Sequence, residues 1–127
     1  MVEKVTSYDN PTVGSGSIVN EVQHGYNDFG LLVTEYQSHS GAVNTNTTPR
    51  VQYSYTNGSD NHTRPTTLTY PNGRVLHSDY GSSGGIGDAA SRVESLIDND
   101  GTSHLGDYSY SGHQTFAELD LPEPDLK

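Results

Sequence analysis

The chain has no cysteine and no tryptophan, and its 127 residues hold only six Lys and Arg against 16 Asp and Glu. Without cysteine there can be no disulfide and no thiolate metal site. No run of roughly 18 or more apolar residues occurs, which excludes a membrane-spanning helix. The first 30 residues lack the basic-then-apolar order of a signal peptide, so secretion would need a signal on a longer parent chain or another route. A formal charge of -10 with no basic stripe argues against a nucleic-acid partner. Aliphatic and Phe side chains are scarce too. Ile, Leu, Val and Phe together make 24 residues, a share that with this charge borders on the composition of disordered chains. The length suits one domain.

What is abundant points the other way. Ser, Thr and Asn number 37, Gly 14, Pro six and Tyr nine, a composition of turns and strands with few helix formers. Strict alternation of apolar and polar residues marks half-buried strands. It occurs in Val51-Gln52-Tyr53-Ser54-Tyr55, around Leu68 and Tyr70, around Tyr108 and Tyr110, and along Val22, His24 and Tyr26. Compact turns ending in Gly30, Gly58, Gly73 and Gly101 separate these runs. The Asn-Gly pairs at 57–58 and 72–73 predict two-residue type I′ turns, which need positive φ at both central positions. Strands are expected near 3–8, 18–26, 31–37, 50–56, 64–70, 74–80, 92–97, 104–110 and 115–119. One helical turn is expected at Asp88–Ser91, where Asp and Ala follow a Gly/Ser run. The fold class read from this pattern is all-β, built of antiparallel hairpins stacked side by side.

The tyrosines and glycines recur. Tyr8 to Gly30 and Tyr36 to Gly58 each span 22 positions, and Tyr80 to Gly101 spans 21. In each interval a strand ends at Tyr, a polar loop follows, a second strand returns, and a tight turn closes on Gly. Such a period belongs to repeat architectures, whose units bury their apolar surface only against neighbours. Tyr26-Asn27-Asp28-Phe29-Gly30-Leu31-Leu32-Val33-Thr34 resembles the Tyr-Asp repeat of RHS-type proteins, and Tyr70-Pro71-Asn72-Gly73-Arg74-Val75-Leu76 resembles the same unit. Val5–Pro11 and Val51–Tyr55 fit it as well. The likeness covers residues 3 to 117; Asn27 stands where that unit has Asp, and Leu31 where it has a basic residue.

The resemblance implies hairpins joined into a spiralling sheet, part of the hollow β-shell of a bacterial cell-surface or secreted protein. It implies neighbouring repeats, or self-association through open sheet edges, as partners. The chain then looks like a fragment or short relative of that shell wall, with residues 1–117 as the array and 118–127 as an acidic, Pro-containing extension or linker. Tyr8, Tyr26, Tyr36, Tyr53, Tyr55, Tyr70, Tyr80, Tyr108 and Tyr110 would pack the sheet, and Gly30, Gly58, Gly73 and Gly101 would set its turns.

No catalytic or metal constellation emerges. Asp98-Asn99-Asp100-Gly101-Thr102 looks like the start of a Ca²⁺ loop, but the position of the bidentate Glu holds Ser109, and an Asp-Gly turn explains the run. His24, His39, His62, His77, His104 and His113 form no metal-ligand pattern, though His24 and His77 both fall in strands and could meet across them. Gly14-Ser15-Gly16-Ser17 and Gly81-Ser82-Ser83-Gly84 are neither nucleophile elbows nor phosphate loops. Asn46, Asn57 and Asn61 begin N-glycosylation acceptor triplets, which matter only in a eukaryotic secretory protein. The reading is therefore a non-enzymatic structural segment with no cofactor. The alternative is a carbohydrate-binding module that uses exposed Tyr, Asn and Asp.

Tyr pairs and β-branched pairs across strands contribute only about 0.2–1 kcal/mol each. The isolated segment is therefore expected to be marginally stable, and a sharp cooperative melt at high temperature in a dilute monomer would contradict that expectation.

Overall fold

The computed structural model describes residues 1–56, 62–111 and 116–122. Among them, β1 (Lys4–Tyr8), β2 (Ile18–Tyr26), β3 (Leu32–Ser38), β4 (Arg50–Tyr55), β5 (Pro65–Thr69), β6 (Val75–Asp79), β7 (Ser95–Ile97), β8 (His104–Tyr110) and β9 (Phe116–Asp120) form the strands, with a single helical turn, α1 (Ile86–Ala89), before β7. The strands make one antiparallel sheet in strict sequence order from β1 to β9. Each strand pairs with its neighbours in sequence, and β1 and β9 are the two outer strands. The all-β hairpin array expected from the alternation is what the chain forms. β9 runs to Asp120, so the ladder crosses the boundary expected at 117/118.

Register and alternation sort the strand residues onto two faces. Val22 pairs with Val5 and Gln37, Glu35 with His24 and Val51, Leu68 with Tyr53 and Leu76, Leu96 with Ser78 and Gly106, and Tyr108 with Leu119. These share one face, which is mostly apolar. On the other face Glu21 pairs with Thr6, Tyr36 with Arg50, Gln52 with Thr69, Thr67 with His77, Asp79 with Ser95, and Asp107 with Asp120. This second face is mainly polar, yet it also carries the buried Tyr36 and Ile97.

A single layer has little interior. Among the described residues Tyr36, Tyr80 and Ile97 are the buried apolar side chains, and no side chain is completely enclosed. What the layer does enclose is partly polar. Glu21 is 2% exposed, and its carboxylate accepts from the Thr6 hydroxyl (2.8 Å) and the Val43 N–H (3.0 Å) and meets Lys4 Nζ at 3.2 Å. Those donors hold its carboxyl below the usual carboxylate range, the Thr6 hydroxyl most of all. The same bond from Val43 ties the loop after β3 down onto β2, where Gly41 N–H also reaches the Val19 carbonyl (2.9 Å).

The turns differ from expectation in one respect. At 70–73 the Gly73 N–H donates to the Tyr70 carbonyl (2.9 Å), the Tyr70 N–H to the Arg74 carbonyl (2.9 Å), and only Gly73 (φ 86) has positive φ. This is an ordinary turn followed by a left-handed Gly, not a type I′ turn, because Pro71 fixes φ near −65° at the first central position. The turns closing on Gly30 (φ 76) and Gly101 (φ 76) have the same form, with Asn27–Gly30 and Asp98–Gly101 bonds of 2.9 Å. The turn at Asn57-Gly58 lies outside the described residues. The helical turn begins at Ile86 rather than Asp88, since the Gly85 carbonyl already accepts from the Ala89 N–H (2.9 Å). It ends where Ser91 enters the left-handed region (φ 51) and the Arg92 N–H returns to the Gly87 carbonyl (2.8 Å). That reversal delays β7 to Ser95, although Glu94 already bonds to both neighbouring strands, at Asp79 and at Tyr108.

Gly73 has open space around its missing side chain, so the cost of a substitution there is conformational. Gly73→Val should lower stability by about 1–2 kcal/mol in urea titration, the penalty for an L-residue held at left-handed φ; an unchanged midpoint would refute the turn assignment.

Candidate functional site

The tyrosines converge on a repeated device. Tyr26, Tyr55 and Tyr110 are the last residues of β2, β4 and β8, and Tyr80 directly follows β6. Each hydroxyl donates to a backbone carbonyl at the start of the preceding strand or two residues before it: Tyr26 to Val2 (2.8 Å), Tyr55 to Leu32 (2.8 Å), Tyr80 to Pro65 (2.6 Å) and Tyr110 to Val93 (2.6 Å). The β2–β3, β4–β5 and β8–β9 ladders shift register at Tyr26, Tyr55 and Tyr110, with the extra residue on the following strand. The hydroxyl thus satisfies a carbonyl at the strand end. Desolvation raises the pKa of Tyr55 and Tyr80, which keeps both hydroxyls as donors across the physiological range.

Arginines add a second contact. Arg64 lies over the Tyr80 ring (4.4 Å to the centroid), Arg92 over Tyr110 (5.1 Å) and Arg50 over Tyr36 (5.8 Å), and an Arg50 Nη1 also donates to the Tyr36 hydroxyl at 3.2 Å. Arg64 pairs with Asp88 as well, at 2.8 Å, and so holds α1 against β5 and Tyr80. The Asp88 carboxyl is held low, first by the Gly84 N–H and then by Arg64. Arg74 pairs with Asp98 at 2.8 Å, and the neighbouring Val75 N–H donates to the Asn99 side chain at 2.8 Å. Two successive hairpin turns are thereby stitched together.

The other expected residues take different places. Tyr8 ends β1 at a bulge opposite Ile18 and is half-buried. Tyr53 and Tyr108 are half-buried on the apolar face, opposite Leu68 and Leu119. Tyr70 is exposed and holds its turn through its backbone. Gly30, Gly73 and Gly101 close turns, and Gly58 lies outside the described residues.

His24 and His77 do not meet. β2 and β6 are separated by three strands, and His24 instead reaches the Val2 carbonyl (3.1 Å), edge-on to Tyr26. Asp98 and Asp100 turn inward on their own loop. Asp100 accepts from the N–H groups of Thr102 (2.9 Å) and Ser103 (2.8 Å) and from the Ser103 hydroxyl, which bring its pKa to about 2. Asp98 accepts from the Asn99 N–H and from Arg74. Both carboxylates are occupied by the turn. Among the described residues no three His, Asp or Glu side chains converge as a metal-binding set.

Two concave surfaces border the apolar face. A groove of 530 Å³ is lined by Tyr70, Pro71, Arg74, Leu76, Leu96 and Leu105. A smaller one, 200 Å³, is bounded by Asn27, Phe29, Tyr53, Tyr55 and His62; there the Phe29 and His62 rings stack at 4.8 Å, and Phe29 is 64% exposed. Neither the Phe29–His62 stack nor the Glu21 cluster was legible in the sequence, because their members lie far apart along the chain and carry no local pattern. Comparison with protein-family models and with curated proteins finds no match.

Tyr26→Phe, Tyr55→Phe, Tyr80→Phe and Tyr110→Phe should each cost about 0.5–1.5 kcal/mol in urea unfolding, the net value of one such hydrogen bond, whereas Tyr70→Phe should cost nothing measurable. Asp100 gives a pH test. Its folded pKa of about 2 lies below the ordinary 3.8, so its stabilisation is complete above that value and is lost as pH falls from about 4 to 2. Asp100→Asn should remove that part of the acid sensitivity; superimposable stability–pH curves for variant and wild type would show that Asp100 is not held as described.

Proposed function

We propose that this chain is a non-catalytic structural segment, a Tyr-Asp-repeat stretch that builds part of the β-shell of an RHS-type bacterial protein at the cell surface or secreted. One observation carries the reading: the same two-strand unit, closed by a Tyr hydroxyl on a carbonyl at or just before the start of its first strand, recurs four times along one sheet whose outer strands are β1 and β9. A unit of this kind stacks without limit, since each addition meets only its neighbour. Outer strands carry unpaired backbone groups that the next repeat would satisfy. Asp88, Asp98 and Asp100 are already engaged in holding turns.

A second reading rests on the exposed Phe29–His62 stack beside Tyr53 and Asn27. Ring faces next to amide groups suit a sugar, whose C–H face stacks while its hydroxyls bond. Saturable binding on a glycan array, abolished by Phe29→Ala, would favour it over a purely structural role.

Joining two copies end to end, β9 of the first to β1 of the second, tests the structural reading. Stability that grows with copy number is the expected result for a stack of nearest-neighbour units. A tandem chain that melts with the same midpoint as the single copy would count against it.

A further inference from the structure

We propose that the apolar face of the sheet binds an extended peptide segment of a partner protein, with a cation of that segment on Glu35 and its apolar side chains against Leu76, Leu96 and Leu105. This goes beyond the shell and sugar readings, which use the sheet edges and the Phe29–His62 stack, and depends on neither.

Glu35 carries the charge argument. It is half-buried on β3, and among strand residues with described side chains it is the only carboxylate with a register position on this face. No described residue makes an ion pair or hydrogen bond with its carboxylate. Two neighbouring bases are engaged elsewhere. His24, opposite Glu35 in the ladder, has Nδ1 at the Val2 carbonyl (3.1 Å), and Arg50 donates to the Tyr36 hydroxyl (3.2 Å). Glu21, Asp88 and Asp98, by contrast, each hold a Lys or Arg of this chain. A half-buried carboxylate beside apolar surface gains from a cation brought by a partner.

The shape of the face selects the occupant. Glu35 and Val51 line a concavity of 320 Å³, and Pro71 lines both it and the 530 Å³ groove, so the two are continuous. Beyond Pro71 the groove is lined by Leu76, Leu96 and Leu105. From Glu35 on β3 to Leu105 on β8 the sheet takes five inter-strand steps, about 24 Å at about 4.8 Å each. One small molecule fills a single concavity of this size and not both. An extended chain of about seven residues covers the distance, and its alternate side chains point the same way. A cation at one end and apolar residues at every second position then meet Glu35 and the leucines in turn. Gln37 and Asn72, which line the two concavities, supply amide groups for the backbone of the segment. The formal charge of -10 draws a cationic partner in and repels an anionic one.

The test uses the full chain and a capped heptapeptide with arginine first, leucine at its third, fifth and seventh positions and serine between. Isothermal titration calorimetry should show saturable binding at about 10–100 μM, the range of a modest interface. Placing glutamate where the peptide has arginine, or serine where it has leucine, should abolish it. Glu35→Gln should weaken binding about fivefold, as expected for a partly exposed ion pair. Glu35→Arg should reject the arginine peptide and take the glutamate one, an exchange that a merely structural role would not produce. If Glu35→Arg loses its far-ultraviolet dichroism, the wild type's discrimination between the two peptides decides. Four outcomes would overturn the proposal: no saturable binding up to about 1 mM; equal affinity for the arginine and glutamate peptides; octylammonium binding as tightly as the heptapeptide, which would assign the face to a small amphiphile; or a wild-type dimer in sedimentation equilibrium that excludes the peptide, which would assign the face to a second copy.

Discussion

A hydroxyl laid on a carbonyl is the interaction on which this fold depends. The sheet is one layer thick and has almost no interior, so apolar burial cannot supply the usual share of cohesion. Tyrosine meets that shortage because it covers area with its ring and still ends in a donor. Placed at the end of every second strand, it removes an orphaned carbonyl where fraying would begin and draws the ends of two adjacent strands together. The arginines over Tyr36, Tyr80 and Tyr110 add coverage from the other side of the ring, with their alkyl stems as part of the packing.

Electrostatics follows the same economy. In an acidic chain every described cation is already committed: Lys4 to Glu21, Arg50 to Tyr36, Arg64 to Asp88 and Tyr80, Arg74 to Asp98, and Arg92 to Tyr110. The cations are spent on fixing loops and turns relative to the sheet. The carboxylates with low pKa values serve the same purpose from the other side, since their partners are mainly N–H and O–H groups of the turns they close. These ionised groups help define the shape of the fold.

Much of the fold could be read in the sequence, for a physical reason. Half-buried strands impose a period of two, and tight turns demand Gly or Asn at fixed positions; both are local signals. The runs around Tyr53 and Leu68 and the punctuation at Gly30, Gly73 and Gly101 therefore located the strands to within a few residues. The turn at Pro71 departs from the Asn-Gly signature because the proline beside it holds the first central residue at negative φ. The roles of the tyrosines were only half legible. The spacing that predicts a repeat runs through Tyr8, Tyr36 and Tyr80, whereas the hydroxyl contacts belong to Tyr26, Tyr55, Tyr80 and Tyr110 and join residues 15 to 24 positions apart, which no local pattern announces. The burial of Glu21 and the seat of Arg64 on Asp88 come from segments brought together by the loops. Side-chain chemistry alone would have put both on the surface.

The strict order of strands has a mechanical consequence. With β1 at one margin and β9 at the other, a pull on the two chain ends acts across the ladder, perpendicular to the strands. Hydrogen-bonded strands loaded in that direction give way a pair at a time, like a zipper. Extension would peel the molecule in small, successive steps of low force, and relaxation would restore it by the same route, because each strand needs only the one before it as a template.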